Sequence, residues 1–421
     1  MKGFKLTRGE KCWVLYDVGN SAFTLLISTI IPIYFNALAQ GAGLTDVEYL
    51  AYWGYAASIA TLLVAVLGPV FGTLADTRGY KRPIFLVFLA VGLIGCLALG
   101  LVSAWLVFLA VFIVARVGYS GSLIFYDSML SDVTTPERKD RVSTSGYAWG
   151  YIGSCIPFVL SLIPVLFADA IGISMKAAMA IAFTIVAVWW LVITLPLLRT
   201  YRQRHYMEKR ARALRDSFGR LGVTFRKVRR EKKVFLFLLA FFFYIDGVYT
   251  IIDMATAYGQ ALGLDSTGLL LALLLTQVVA FPCAILFGRL AARFPTEGLI
   301  TVCILAYFGI AVFAMFLAHQ WQFWLLAVLV GMFQGGIQAL SRSYFTRIIP
   351  ARQSGEYFGL MDICGKGAAF MGTTVVSAVS QVSGNVSLGV GMLALLFLAG
   401  LLLFRSAVRA EEATREACAD L

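Results

Sequence analysis

The sequence predicts an all-α membrane protein whose twelve transmembrane helices form two six-helix bundles related by pseudo-twofold symmetry. Three observations predict this fold: long apolar runs recur along the whole chain, few residues are charged, and two patterns repeat at nearly one offset. Of the 421 residues, 60% are hydrophobic and 14% are charged, whereas soluble domains carry roughly 25% charged residues. A soluble globular enzyme is therefore excluded.

The apolar runs set the number of helices, because each is close to the roughly 20 residues that a helix needs to cross hydrocarbon. A transmembrane barrel would need alternating segments of about ten residues, which the sequence lacks. No short apolar region with a cleavage site follows the basic N-terminus, so the first span is expected to be retained. The predicted spans are 13–39, 49–74, 83–103, 105–131, 143–168, 175–197, 234–261, 268–291, 298–318, 321–348, 357–383 and 385–408.

The distribution of basic residues predicts the orientation of these spans. Of 35 Lys and Arg residues, only Lys176 lies in a connection after an odd-numbered span, and Arg116, Arg342 and Lys366 lie more than three residues inside spans. The positive-inside rule assigns the side that carries the other 31 to the cytoplasm. We therefore expect a multi-pass protein of the cytoplasmic (inner) membrane with both termini cytoplasmic. The net charge of +12 then reflects topology rather than nucleic-acid binding.

One basic connection divides the chain. Residues 199–233 hold 14 basic and three acidic residues, a charge of +11 (14 − 3). We predict an N-terminal bundle over 1–198 and a C-terminal bundle with a short cytoplasmic tail over 234–421. Apolar residues at helical spacing in this linker favour an amphipathic helix on anionic inner-leaflet lipids, with a solvated charge run as the alternative. They are Met207, Leu214, Phe218, Leu221 and Phe225.

Two patterns repeat between the halves. Residues 121–136 and 335–350, both ending in proline, occupy the same place in the fourth and tenth spans, 214 residues apart. Residues 72–76 (GTLAD) and 288–292 (GRLAA) follow the second and eighth spans, 216 residues apart. Two independent signals at nearly one offset favour six plus six helices, an arrangement that places a binding site between the halves at mid-membrane.

The loop after the second span carries a specific motif, residues 72–82 (GTLADTRGYKR). Its first glycine allows close helix packing, Gly79 permits a tight turn, and Lys81 and Arg82 are expected to anchor at lipid headgroups. The motif resembles the signature loop of the major facilitator superfamily, which implies the major facilitator fold. Residues 116–121 (RVGYSG) are similar to a second pattern of that superfamily, with its last glycine displaced by one residue.

The signature-loop resemblance also implies a latch. Asp76 would meet the positive end of the eleventh helix near Tyr357 and would favour the state closed to the cytoplasm. The repeated copy has Ala292 in the equivalent place, so the second latch is degenerate. We accordingly predict gating roles for four residues of the motif, Gly72, Asp76, Gly79 and Arg82.

Three further stretches narrow the family: 16–23 (YDVGNSAF), 335–343 (GGIQALSRS) and 350–359 (PARQSGEYFG). Together they resemble the branch that contains the vacuolar amino-acid effluxers of autophagy and their bacterial relatives. The first stretch has Val-Gly at 18–19 where Trp-Ala is usual, which removes an aromatic ring from an expected cavity wall. The resemblance implies solute export, with amino acids as the best-known cargo.

Ionisable residues inside the spans are the candidate functional residues, because each costs roughly 2.5–3.5 kcal/mol to insert and so faces a cavity or a partner. Arg116 and Asp246 lie near the middle of their spans. Arg116 could bind a substrate carboxylate while Asp246, with Asp253, receives an ammonium group or a proton. Alternatively, Arg116 and Asp246 pair with each other and hold the halves together without touching cargo.

The first span adds a shallow polar patch of Asp17, Asn20 and Ser21. This patch could bind cargo or, through Asp17, a coupling proton; the alternative is a hydrogen-bonded helix start. Asn20 and Tyr34 complete the predicted substrate site.

Four charged residues lie in the cytoplasmic third of the fourth, tenth and eleventh spans. We predict an inner gate in which Asp127, a second candidate proton carrier, bridges to Arg342 or Lys366 when the cytoplasmic side is shut. The alternative is pairing of Asp362 with Lys366, which are four residues apart on one helix.

These features predict a secondary transporter that moves a small polar, amino-acid-like solute by alternating access, with proton-coupled efflux. One alternative is an exporter of apolar or amphipathic compounds such as drugs, lipids or siderophore-like molecules. Another is a non-transporting membrane receptor. Two histidines, seven scattered cysteines and no phosphate-binding loop predict no cofactor, no metal site and no enzyme. The expected partners are a small solute and the lipid bilayer around a monomer.

Overall fold

Twelve long helices form the protein in the computed structural model, which describes residues 4–44, 46–208, 226, 228–262, 264–383 and 385–419. They are α1 (Arg8–Gly41), α2 (Asp46–Ala75), α3 (Lys81–Leu99), α4 (Trp105–Val133), α5 (Lys139–Leu166), α6 (Met175–Thr200), α7 (Lys232–Ala261), α8 (Ser266–Leu290), α9 (Thr296–Ala314), α10 (Gln320–Ile348), α11 (Ser354–Ser383) and α12 (Leu393–Ala419). Short helices at Ala168–Ile171 and Val386–Gly391, and 3-10 turns at Pro136–Arg138 and Ala351–Gln353, lie in the connections.

Among the described residues, eleven helices are long and apolar enough to cross a membrane. The remaining one, α11, has 30 residues, but its apolar stretch is limited to Met371–Ser380. This shorter stretch fits a helix that packs inside the bundle and contacts α2, α7 and α4. The chain is therefore a multi-pass membrane protein, and the helical architecture predicted from the apolar runs is confirmed.

Polar side chains begin several helices at the membrane edges. Thr7 caps α1 in a capping box with Glu10, and Ser174 caps α6 by accepting a hydrogen bond from the amide of Ala177. Asp265 caps α8 in the same way through Gly268. Each cap satisfies an amide that would otherwise lack a partner in the first helical turn.

The core is divided in two, as expected for two bundles. One hydrophobic cluster contains buried residues of the first half alone, from Cys12 to Tyr201. The other contains residues of the second half together with Val228 of the linker and Val64 and Ile124 of the first half. Because most apolar contacts are made within a half, each half can move as a packed unit against the other.

The halves meet along two equivalent interfaces, α2 with α11 and α5 with α8. At the first, Gly72 lies directly against Gly355: a Cβ added to Gly72 would be 2.4 Å from the Gly355 carbonyl oxygen. At the second, the ring of Trp149 packs on that of Phe281 with centroids 5.4 Å apart. We call the end of the bundle at which α1 begins and α12 ends the basic side. Gly72 lies three residues before the end of α2, Ala75, on that side.

The start of the linker is folded against the signature loop. The amide of Met207 donates to the Asp76 carbonyl at 2.8 Å, and the amide of Arg78 donates to the Met207 carbonyl at 2.9 Å. The predicted amphipathic helix falls mostly on 209–225, which lie outside the described residues. The predicted boundaries at 198 and 234 therefore stay predictions.

Candidate functional site

Asp76 lies at the N-terminus of α11 and links the two halves. Its two carboxylate oxygens accept hydrogen bonds from the amides of Gly355 at 2.9 Å and Glu356 at 3.0 Å. The first amides of a helix lack partners within the helix and carry partial positive charge, so they favour an anion there. Tyr357, the position named from the resemblance, follows these two residues directly.

Lys81 corrects one expectation for the signature loop. It does not lie at the headgroups: it is fully buried, with its Nζ 3.5 Å from Asp76 and 3.8 Å from Asp132. The same ammonium donates to the hydroxyl of Ser354 at 3.0 Å, across the interface between halves. Arg82, by contrast, is exposed on the basic side. The two members of the basic pair therefore have different environments.

Gly79 supplies the turn of this loop. Its φ angle of +80° lies in the left-handed region, which glycine adopts without the penalty that a Cβ brings. Its amide donates to the side-chain oxygen of Gln203 at 2.9 Å, so the turn also holds the linker.

A second connection between the halves is centred on Asp140, at the start of α5. Its carboxylate accepts hydrogen bonds from Arg347 and Ser343 of α10, and from the Thr296 hydroxyl at 2.9 Å. By the internal repeat, the start of α5 corresponds to the start of α11. The second copy of the signature motif has Ala292 in place of a carboxylate. At that equivalent interface, Asp140 joins the halves instead.

Arg342 is the central charge of the interface. It projects from α10 into the first half and is 3% exposed. Its guanidinium donates to Asp127 at 2.9 Å and to Asp17 at 3.4 Å. It also donates to the hydroxyl and the carbonyl oxygen of Ser143 at 2.9 and 3.0 Å. The structure therefore brings Asp17 of the polar patch into the same network as Asp127 and Arg342.

Three aromatic rings surround the same guanidinium. The Arg342 Cζ atom is 4.4 Å from the ring centroid of Tyr147, 4.7 Å from that of Trp13 and 5.5 Å from that of Tyr126. Arginine over an aromatic face within about 6 Å gains electrostatic attraction from the ring. We call the set of Trp13, Asp17, Tyr126, Asp127, Ser143 and Tyr147 the guanidinium cage.

The other two members of the predicted inner gate lie on α11. Asp362 is half-buried and interacts electrostatically with Asp127. The side chain of Lys366 lies outside the part of the chain whose side chains are described. Whether Lys366 pairs with Asp362 or with Asp127 therefore stays a prediction.

Arg116 of α4 and Asp253 of α7 are opposite charges that belong to different halves. Arg116 is half-buried on α4 with its guanidinium 5.9 Å from the Phe112 ring centroid, and it interacts electrostatically with the exposed Asp253 of α7. Arg116 lies eleven residues from the end of α4 opposite the basic side, roughly 16 Å along the helix. This pair of opposite charges is therefore on the far side of the guanidinium cage.

Asp246 is packed inside the second half rather than against Arg116. It is fully buried, and its Oδ1 accepts hydrogen bonds from the Gly372 amide at 3.0 Å and the Thr250 hydroxyl at 3.2 Å. Its Oδ2 has no hydrogen-bond partner among the residues the structure describes. The structure therefore joins α7 to α11 through Asp246 and does not show the alternative pairing of Asp246 with Arg116.

The remaining predicted substrate residues lie within the first half. The side-chain amide of Asn20 donates to the carbonyl oxygen of Tyr16 at 3.0 Å. Tyr34 is 4% exposed and packs on Phe108, with ring centroids 5.4 Å apart. These contacts place Tyr34 in the aromatic core of the first half, apart from the charged network.

Several residues of the site were not singled out from the sequence. Asp140 and Arg347 lie at helix ends, where the positive-inside pattern makes charge ordinary. Trp13, Tyr126 and Tyr147 are three of many aromatic residues, which make up 14% of the chain. One signal was available for Tyr126, because it directly precedes the intramembrane Asp127. A signal was also available for Asp140, because the internal repeat makes the start of α5 equivalent to the start of α11.

The latch should respond to pH through Asp76. Burial raises the pKa of Asp76 to about 6, although Lys81 and the amides of Glu356 and Gly355 act in the opposite direction. When the basic side opens and water solvates the carboxylate, its pKa should return towards about 3.9. The closed state then binds the proton more tightly. Lowering the pH from 7 to 5 is expected to favour closure about tenfold, with no further gain below about pH 4.

Spin labels at the exposed positions 82 and 352 would report this change as a distance distribution at each pH. The matched control is Asp76→Asn, which removes the titrating carboxyl and should remove the pH-dependent part of the shift. Wider separation on acidification in the unsubstituted protein, but not in the Asn variant, would contradict the expected sign.

The chain is similar in sequence to known transporters. A family model described as "Vacuole effluxer Atg22 like" matches residues 8–418. The chain is 41% identical over 404 residues to the uncharacterized MFS-type transporter YxiO of Bacillus subtilis (strain 168), covering 95% of this chain and 94% of the relative. It is 23% identical over 434 residues to Autophagy-related protein 22 of Coccidioides immitis (strain RS), covering 84% of this chain and 71% of the relative.

Solved structures share the fold at low sequence identity. The human organic anion transporter MFSD10 superposes with a TM-score of 0.70 at 16% identity, covering 95% of this chain and 100% of that chain. FucP, a transporter of the major facilitator superfamily in the outward conformation, superposes with a TM-score of 0.68 at 15% identity, covering 95% and 97%. The major facilitator fold predicted from the signature loop is thereby confirmed.

Proposed function

The chain belongs to the Atg22-like family of effluxers and is a transporter of the major facilitator type, and from this premise we propose that it exports a small polar, amino-acid-like solute across the cytoplasmic membrane. Export is driven by exchange with protons. The basic side faces the cytoplasm, and the halves rock about a site between them.

One observation carries the proposal of a polar cargo: an arginine of one half and an aspartate of the other, both on membrane-spanning helices, interact electrostatically. Arg116 of the first half and the exposed Asp253 of the second interact electrostatically, beyond the closed contacts around Arg342. Each intramembrane charge costs roughly 2.5–3.5 kcal/mol to insert, so such a pair is kept where it binds or admits polar groups. A zwitterion presents a carboxylate to Arg116 and an ammonium group to Asp253.

The contacts around the latches support a rocking mechanism. Asp76, Asp140 and Arg342 each join one half to the other near the basic side. Opening this side requires all three connections to part, and closing it restores them. The two hydrophobic cores stay intact in both states because each belongs almost wholly to one half.

Asp246 is the proposed proton carrier. A fully buried carboxylate with one oxygen that has no partner among the described residues is a costly charge, and a proton on Oδ2 removes that charge. Because its other oxygen holds the amide of Gly372, a change of charge acts directly on the packing of α7 against α11. Proton binding would thus bias the helix that also carries the Asp76 latch.

Flux measurements in proteoliposomes test this function. With an imposed pH gradient, we expect accumulation of at least one labelled solute from a panel of neutral, acidic and basic amino acids. Asp246→Asn should abolish gradient-driven accumulation while solute exchange at equal pH continues, because the carboxyl carries the proton and not the cargo.

The matched control is Asp169→Asn, which neutralises an exposed aspartate outside the long helices and should leave accumulation unchanged. Accumulation that is the same with and without the gradient would reject proton coupling. Movement of apolar drugs but of no amino acid would favour the alternative cargo.

A further inference from the structure

Among the residues whose side chains the structure describes, every hydrogen bond and ring contact of the Arg342 guanidinium comes from the other half. Its hydrogen-bond partners are Asp17, Asp127 and Ser143, and its rings are Trp13, Tyr126 and Tyr147. All six lie on α1, α4 and α5, whereas Arg342 lies on α10. The guanidinium therefore occupies a cation site that belongs entirely to the first half.

The walls of this cage are assembled without Arg342. The indole N–H of Trp13 donates to the Tyr126 carbonyl oxygen at 3.0 Å, and the two rings stack with centroids 4.4 Å apart. The ring of Tyr126 also packs on that of Tyr16 of the same half, with centroids 4.6 Å apart. A preformed site of this kind holds its shape when its occupant leaves.

Rocking of the halves empties the cage. When the basic side opens, Arg342 withdraws with α10, and both carboxylates stay behind on α1 and α4. Two nearby carboxylates in a poorly solvated site repel each other, so the vacated cage attracts a cation. Three rings favour a delocalised or alkylated cation over a small hydrated metal ion.

We infer that Arg342 is a tethered occupant of a cation-binding site, and that the solute moved by this protein carries a guanidinium or amine side group in addition to any α-ammonium group. This inference rests on the transport function proposed above. A solute cation enters the cage from the basic side when Arg342 is withdrawn. Closure brings Arg342 back, and its guanidinium displaces the solute towards the far side. The same residue thus closes the gate and releases the cargo.

Solute exchange across proteoliposomes tests the cargo class with the unsubstituted protein. The probes are arginine, agmatine, citrulline and leucine, of which citrulline is the neutral isostere of arginine. We expect arginine or agmatine to exchange at least about tenfold faster than citrulline, because the neutral urea group gains neither the carboxylates nor the rings. Exchange of citrulline or leucine as fast as both cations would overturn the inference while leaving the transport function standing.

Two variants of one ring test the cage itself. Tyr147→Phe keeps the aromatic face and should retain most of the agmatine binding. Tyr147→Leu removes the face and should weaken agmatine binding about tenfold. Equal binding by both variants would show that the ring contacts no cargo.

Removing the Arg342 side chain, which competes with the solute for the guanidinium cage, should make the cage accessible. Arg342→Ala is expected to bind agmatine at least about tenfold more tightly than the unsubstituted protein, because no guanidinium of its own fills the cage. Arg347→Ala is the matched control, since it weakens the Asp140 latch and leaves the cage intact. Equal tightening in both variants would assign the effect to a looser gate and overturn the inference.

Equilibrium binding also separates failure of the inference from failure of the proposed function. Agmatine binding that depends on Asp127 but is accompanied by no flux of any solute would support the cation site and contradict transport. If Asp127→Asn binds agmatine as tightly as the unsubstituted protein, the cage is not the site.

Discussion

Gly72→Ala is expected to prevent full closure of the basic side and to reduce transport strongly. The added Cβ would lie 2.4 Å from the carbonyl oxygen of Gly355, a backbone atom that cannot rotate away. α2 and α11 must then separate, which pulls Asp76 from the amides of Gly355 and Glu356. Hydrogen bonds to a charged group contribute roughly 1.5–3 kcal/mol each, so losing two shifts the closed-to-open ratio about hundredfold or more.

Solute exchange in proteoliposomes measures this effect, and spin-label distances across the basic side measure the change in population. Gly309→Ala is the control, since the added Cβ at this exposed helical position meets no atom within 4 Å. Wild-type exchange by Gly72→Ala, together with an unchanged distance distribution, would show that the close approach at Gly72 is not needed for closure.

Removing both carboxylates of the guanidinium cage should give the largest loss of stability. In Asp17→Asn/Asp127→Asn, Arg342 stays 3% exposed but has no anionic partner. Leaving a buried charge without its partner costs about 3–5 kcal/mol. Adding Arg342→Gln removes that charge as well, so the triple variant should recover most of the lost stability.

Thermal unfolding in detergent, followed in parallel for the double and triple variants, measures both changes. Asp169→Asn serves as the control for loss of an exposed carboxylate. A triple variant that is no more stable than the double variant would mean that the loss comes from repacking around the asparagines rather than from the unpaired guanidinium.

The helices and their division into halves could be predicted because local physics determines them. An apolar run near 20 residues has few alternatives to a membrane-spanning helix. The signature-loop resemblance implies the contact of Asp76 with a helix start, and the residue chemistry agrees with it, because Gly72 permits close approach and Asp76 supplies negative charge. The internal repeat predicts an equivalent position in the other half. There the motif is repeated, but Ala292 replaces the carboxylate.

The partners of the buried charges could not be predicted in the same way. Asp127 had two candidate cations, Arg342 and Lys366, because both lie at about the same depth on helices of the second half. Which of them reaches α4 depends on the rotation of α10 and α11 about their axes, and packing between the halves sets that rotation. The spacing of residues along the sequence does not specify this rotation.

Lys81 illustrates a second limit. A basic pair next to a membrane normally anchors at headgroups, and Arg82 agrees with that expectation. Lys81 is buried instead because two carboxylates from different helices, Asp76 and Asp132, meet at its ammonium group. Long-range proximity of this kind outweighs the local preference of a lysine for the headgroup region, and it becomes visible only when α2, α3 and α4 are assembled.

Asp132, for its part, holds the start of the linker to the first half. Its carboxylate accepts from the Tyr201 hydroxyl at 2.6 Å and from the amides of Arg204 and His205 at 3.1 and 2.9 Å. A gene divided to produce the two bundles as separate polypeptides should therefore keep codons up to 208 with the first one. Division at 199 would remove these three donors from Asp132. Lys81 would then remain as the partner of its buried carboxylate.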